Sequence, residues 1–253
     1  FNLTFGPVIL PLICVVPFGP LLAWKRGDLA AVAQRLAAAF AAALVVVLSI
    51  LLFVDKSAVF AALGCGLAVW LVFGALTDLW VKAGFGAQPA AIAARRLAGL
   101  PMSMFGTTAA HMGLGLTLLG IVSTVAFQQE RIVTLKPGEA TEVGGYTLRY
   151  EGLTPAKGAN YDEQRGTFAI LRADGRAAGS VMSSKRLYTT RQMPTTEAGI
   201  RTMGFSQLYV SLGDETDDGG IVVRAWWKPL VTLIWLGGLV MMAGGVLSLC
   251  DRR

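Results

Sequence analysis

Residues 107 to 127 form an uncharged run from Thr107 to Phe127, long enough to cross a bilayer, and carry the only histidine of the 253-residue chain. About 20 mostly apolar residues in series specify a transmembrane helix, because in hydrocarbon every backbone N–H and C=O must be satisfied within the segment. An imidazole inside such a helix is costly to keep and by default marks a functional site. On a helix, His111 shares its face with Thr107 and Gly115, one turn to either side. Small residues above and below an imidazole leave room for a bulky planar ligand or for a close-packed neighbouring helix. Both readings fit the spacing, as does a histidine that only hydrogen-bonds across a helix interface.

The apolar pattern recurs. Runs at about Leu3 to Trp24, Leu36 to Val54, Ala58 to Trp80 and Pro229 to Cys250 join Met102 to Phe127, so five spans are predicted. The 54% hydrophobic and 15% charged content and the mean hydropathy of +0.58 agree with a polytopic membrane protein. Pro7, Pro11, Pro17 and Pro20 should kink or break the first span, leaving carbonyls for neighbouring helices to satisfy.

The net charge of +6 is unevenly placed. Residues 128–228 hold 13 Lys/Arg against 12 Asp/Glu, and the remainder holds 9 against 4, so +5 belongs to the membrane part. Such an excess reflects the positive-inside bias of short loops and does not point to nucleic acid. Lys25, Arg26 and Arg35 follow the first span, Lys82, Arg95 and Arg96 the third, and Arg252 and Arg253 the fifth, whereas the loop Asp55-Lys56 is neutral. The basic side, with the C-terminus, is assigned to the cytoplasm and the large insert to the outside. Between spans three and four, Pro89 to Leu100 reads as a short helix with proline in its first turn. It is expected on the inner membrane surface, with Arg95 and Arg96 meeting anionic headgroups.

Cys14, Cys65 and Cys250 lie in or beside apolar runs and offer neither a disulfide framework nor a Cys-x-x-Cys motif. Phe1 is not an initiator methionine and its surroundings lack the basic start of a signal peptide, so the chain reads as part of a longer protein.

Residues 128–228 switch to strand periodicity. Val133 to Lys136, Tyr146 to Leu153, Thr167 to Arg172, Ala177 to Leu187, Gln207 to Leu212 and Ile221 to Trp227 are predicted strands, with Gly144-Gly145 and Asp174-Gly175 at hairpin positions. Met193 to Gly204 reads as a longer connection or short helix, and the whole as a small barrel or sandwich. Trp226-Trp227-Lys228-Pro229 makes an interfacial belt, and Trp235, deeper in the last span, is expected to pack. Asp214 to Gly219 resembles a calcium loop only superficially, lacking the spaced ligands and closing glutamate; a solvated turn is expected. With no histidine or cysteine and no paired acids, the insert shows no hydrolytic site. Three regions follow: helices one to four with the surface helix (1–127), a β-rich periplasmic domain (128–228), and a final span with its tail (229–253).

Several separated stretches carry a family resemblance. They are His111-Met112-Gly113, Tyr188…Thr195-Thr196-Glu197-Ala198-Gly199-Ile200, Trp227-Lys228-Pro229, and the opening Phe1-Asn2-Leu3-Thr4-Phe5-Gly6…Pro17-Phe18-Gly19-Pro20…Trp24-Lys25-Arg26. With the outward strand domain between spans, they resemble the C-terminal part of CcmF, the haem lyase subunit of bacterial cytochrome c maturation. The resemblance implies an inner-membrane enzyme that takes haem from the chaperone CcmE and joins its vinyl groups to the Cys-x-x-Cys-His thiols of apocytochrome c. It also implies CcmH/CcmI-type thiol-handling partners and a separate haem b between two membrane histidines, which reduces the substrate haem with quinol as a donor.

By position, His111 matches the second of those histidines, and its partner would lie in the N-terminal part of the same protein. The family's WWD motif and flanking periplasmic histidines are not in this chain, and Trp226-Trp227 lacks the following acid. No catalytic residue is therefore assigned here. Lys185, Arg186, Arg191 and Glu197 form a charged cluster beside Thr195-Thr196; solvation is its default explanation, and contact with a partner or with haem propionates its functional one. Without the resemblance, the same features also describe a non-enzymatic membrane receptor or assembly module with a structural histidine.

Overall fold

The computed structural model describes residues 2–22, 27–54, 56–190 and 192–251. Phe1, Trp24, Lys25, Arg26, Asp55, Arg191, Arg252 and Arg253, which enter the readings above, lie outside the described residues. The chain divides into two compact units, Phe1–Ala126 with Thr232–Arg253, and Phe127–Val231.

In the helical unit, α1 (Asn2–Val15) gives way to a 3₁₀ segment, Val16–Leu21, with Pro17 in its first turn. Proline removes an amide donor and ends the α-helical ladder there. The neighbouring helix supplies a partner, as expected of a broken span: the Trp70 indole donates to the Cys14 carbonyl at 3.1 Å. Asp28 caps α2 (Leu29–Arg35), its carboxylate accepting from the Ala30 and Ala31 amides at 2.9 and 3.1 Å. α2 and α3 (Ala37–Phe53) are bent by 54° at Leu36.

α4 (Val59–Ala83) packs tightly on α3: a Cβ added to Gly66 would lie 2.5 Å from Val47 Cγ2. α4 runs three residues past Trp80 and stops at Gly84, whose φ of 83° suits glycine at a helix C-terminus. α5 (Ala90–Ala98) begins with Pro89 as its N-cap and leaves Arg95 and Arg96 exposed in its last turn. α6 (Met102–Phe127) and α7 (Thr232–Leu249) complete the unit. Among the described residues four segments are long and apolar enough to span a membrane alone, and the bent α2–α3 pair, taken as one span, makes a fifth. Trp235 departs from expectation: it is 72% exposed, turned outward on α7 because the glycines of that helix take its packed face.

The second unit is a β-sandwich. One sheet has the order β1 (Gln129–Leu135), β9 (Ile221–Lys228), β8 (Ser206–Glu215), β7 (Gly199–Met203), and the other β2 (Ala140–Val143), β3 (Tyr146–Lys157), β4 (Tyr161–Arg172), β5 (Ala177–Tyr188), β6 (Met193–Glu197), all antiparallel. Inward residues alternate along the strands, as Leu208, Val210 and Leu212 do on β8, and meet Leu148, Phe168 and Ile170 of the other sheet in one core. Gly144 and Gly145, with φ of 61° and 77°, make the two-residue β2–β3 turn. A side chain at Gly144 would also strike Trp227, its Cβ falling 2.1 Å from the indole. Trp227 therefore packs on the sandwich core.

The segment Met193 to Gly204 is a correction. It forms β6 and β7, passing from one sheet to the other at Ala198, where a connection or short helix was expected. Both are edge strands of five residues, too short and too polar to show alternation. β2, four residues long, was invisible for the same reason. Asp214 and Glu215 continue β8, leaving Thr216 to Gly219 as the turn. There Thr216 Oγ1 donates to Asp218 Oδ1 at 2.6 Å and Lys136 lies 3.1 Å from Oδ2, holding the Asp218 carboxyl down to about 2. Among the described residues no cluster of metal-ligating side chains occurs.

Candidate functional site

α6 is clamped on two sides by glycine. A Cβ added to Gly106 would lie 2.5 Å from the Gly244 carbonyl oxygen, and one added to Gly113 would lie 2.5 Å from that of Gly237. These pairs, each seven residues apart, bring α6 and α7 together backbone to backbone. Gly115 faces the other way, its added Cβ 2.7 Å from Val72 and 2.8 Å from the Ala68 carbonyl oxygen, while Val122 sits 2.9 Å from a Cβ at Gly64. The higher-numbered α6 residue meets the lower-numbered α4 residue, so the two helices are antiparallel.

His111 lies one turn before Gly115 and thus on the α4 side of α6, opposite α7. The structure assigns the small residue at 115 to helix packing. His111 is half-buried, and Thr107, on its other side, is exposed, so this flank of the imidazole is open. The Thr107 backbone, one turn before it, acts on the imidazole. A neutral imidazole carries one unprotonated ring nitrogen that can bond a partner. As the sole histidine of the chain, His111 fits one half of a bis-imidazole haem site.

Asp78 was missed by the sequence reading. It is 2% exposed, and Asp78 and Lys82 are the only charged residues within α1, α3, α4, α6 and α7. Lys82 Nζ stands 2.8 Å from both carboxylate oxygens, but its hydrogen-bond geometry satisfies Oδ2 alone, and Oδ1 has no hydrogen-bond donor. Helix spacing puts Asp78 on the α4 segment beside the inner end of the His111 face, and it acts electrostatically on His111. The available signal was an acid inside an apolar run, Thr77-Asp78-Leu79-Trp80, with a lysine four residues on.

In the sandwich, Arg186 forms an ion pair with Glu197, and Lys185 sits beside Arg186 on β5; Arg191 lies outside the described residues. Lys185 and Arg186 border a hollow of about 970 Å³ with Pro155, Lys157, Thr195 and Thr196. The cations have partners. Arg186 Nε donates to Glu163 Oε2 at 3.0 Å, reaches Glu197 at 3.4 Å and lies 4.5 Å over the Tyr161 ring, and Lys185 pairs with Asp214 at 2.7 Å. Glu163, 5% exposed, also takes Arg165.

Arg186 first, then Arg165, hold the Glu163 carboxyl below its usual range. A depressed carboxyl stabilises the fold above its unfolded value, about 4.3, and that stabilisation is lost as pH falls through the lower folded value. Glu163→Gln should therefore destabilise the sandwich by about 2 kcal/mol at neutral pH, less than a fully buried pair because both arginines are partly exposed. It should also weaken the acid sensitivity below about pH 4.3. Urea titration of the sandwich's protease resistance at pH 7 and pH 3.5 measures both, and equal midpoints for variant and wild type at pH 7 would refute the assignment.

Comparison with known proteins points to the same family. The family described as the CcmF C-terminal beta-sandwich matches residues 126–229, nearly the whole second unit. Over all 253 residues the chain is 58% identical to the cytochrome c-type biogenesis protein CycK of Rhizobium meliloti and covers 37% of that protein. The chain matches the C-terminal part of CcmF. It is 32% identical to the cytochrome c-type biogenesis protein CcmF of Escherichia coli K12, again over its whole length and over 37% of that protein. Its fold resembles a solved cytochrome c haem lyase CcmF with a TM-score of 0.75 at 21% identity, covering 99% of this chain and 40% of the other. The chain thus spans under two fifths of the length of the CcmF and CycK relatives it matches.

Proposed function

We propose that this chain is the part of a cytochrome c haem lyase that holds one end of a membrane haem b and presents a β-sandwich on the outer face. The observation that carries the proposal is the lone imidazole of His111, half-buried on an apolar helix of a chain that matches CcmF. When bound, a bis-imidazole haem supplies one-electron transfer with both axial positions filled. The chain's own contribution is to position the nitrogen: α7 and α4 pin α6 from opposite sides.

In this reading, the second histidine belongs to the N-terminal part of the protein. The substrate haem comes from CcmE and goes to apocytochrome c, CcmH/CcmI-type subunits handle the thiols, and quinol is the electron donor. The sandwich groove beside Lys185, Arg186 and Glu197 is the surface we assign to partner contact, since it is concave and rimmed by both charge signs.

The basic loops place the inner end of α6 at the cytoplasmic side. His111 is nine residues from Met102 and sixteen from Phe127, roughly 14 Å and 24 Å along the helix at about 1.5 Å per residue. The ligand then sits in the inner half of the bilayer, away from the outer face where thioether bonds form, and serves as a relay for electrons.

The test is a strain lacking the gene, complemented by the full-length protein. Haem staining of denatured membranes should show covalent cytochrome c restored by the intact gene and lost without it. Normal cytochrome c in the deletion strain would refute the lyase assignment.

A further inference from the structure

We propose that Asp78, held by Lys82, is a positioning residue that sets the reduction potential of the haem carried on His111. The inference rests on the reading of His111 as a haem ligand and adds a residue to that site.

An Asp–Lys pair at i and i+4 adds little to a helix when exposed, and taking its charges out of water works against even that gain. Asp78 is nonetheless 2% exposed, carries a carboxylate oxygen without a hydrogen-bond donor, and lies in the most buried of the apolar helices. A helix staple would leave the pair on the outer surface of α4.

Its place in the helix pair explains the burial better. Gly115 meets Ala68 to Val72 and Val122 meets Gly64, so moving inward from Gly115 to His111 moves from Val72 toward Asp78 on the antiparallel partner. The carboxylate therefore faces the inner end of the histidine surface, with Lys82 one turn further inward. Packed helix axes lie about 8–10 Å apart, so one negative charge at an effective dielectric near 20 favours the more positive, oxidised iron by roughly tenfold. For a one-electron couple that corresponds to about 59 mV.

Spectroelectrochemical titration of the haem-loaded full-length protein tests this. Asp78→Asn should raise the midpoint potential by about the tenfold factor, and Asp78→Glu should stay near wild type. The double variant Asp78→Asn with Lys82→Gln leaves no buried charge alone and should still rise, by less, because the carboxylate is the nearer charge. A wild-type midpoint in the double variant overturns the proposal even if the single variant fails to assemble. So does an Asp78→Glu shift as large as that of Asp78→Asn. A His111→Ala control separates the two layers. If it retains haem, the ligand reading falls and this one with it; if it is haem-free while both Asp78→Asn proteins titrate as wild type, only the role of Asp78 falls.

Discussion

Full-length protein carrying His111→Ala is expected to lose nearly all of its low-spin haem b absorbance while remaining in the membrane in normal amount. Axial nitrogen donation is the directional bond that holds and orients such a haem, and no other histidine in this chain can take over. Thr107 and Gly115 on the same face offer no imidazole, and the Thr107 hydroxyl is already committed to the Ser103 carbonyl at 2.9 Å. The fold has little stake in the ring. His111 is half-buried on the side opposite the α6–α7 crossing, so truncation removes side-chain contact at an edge and leaves the glycine contacts whole. A reduced-minus-oxidised difference spectrum with haem quantified against protein gives the result, and wild-type occupancy in the variant would end the ligand assignment.

Where side-chain periodicity was strong, the sequence was a reliable guide. Four apolar runs became α-helices, and the proline-rich first run an α-helix followed by a 3₁₀ segment, because nothing but internal hydrogen bonding satisfies such backbone in lipid, and the long strands β3, β4, β5, β8 and β9 alternate against a shared core. Gly144-Gly145 marked its hairpin because its two positive φ values are what a two-residue turn requires. The failures share a cause. β2, β6 and β7 have four or five mostly exposed residues, and what holds them as strands is edge pairing with the longer strand next to each in the chain, which their own side-chain pattern does not record.

At the candidate site, a unique histidine was conspicuous, but its electrostatic neighbour was not. Asp78 and Lys82 read as the end of a span, and only the antiparallel α4–α6 contact brings that end beside the histidine face. The basic cluster of the sandwich was found in sequence, while Glu163, which binds Arg186 and Arg165 together, lies on a different strand from the rest of it.

Gly113→Leu should strongly destabilise the helical unit. The added Cβ alone would lie 2.5 Å from the Gly237 carbonyl oxygen and 2.8 Å from the Met241 amide nitrogen, both backbone atoms that no rotamer change can move aside. Relief requires α6 and α7 to separate, and in lipid their association rests on close packing, without a hydrophobic force to draw them back. Overpacking a tight interior costs about 1–3 kcal/mol, and leucine at a backbone contact belongs at or above the top of that range.

Gly238→Leu is the matched control, on α7 one residue from Gly237 and with nothing within 4 Å of its added Cβ. The unfolding temperature of the full-length protein in detergent should fall by several degrees for Gly113→Leu and barely change for Gly238→Leu; equal midpoints would mean that the glycine crossing does not hold this unit together. Because His111 projects from the opposite side of the same helix, forcing α6 off α7 also moves the imidazole against α4. The Gly113 variant should therefore lose haem in proportion to its loss of stability, through a residue on the face of α6 turned away from His111.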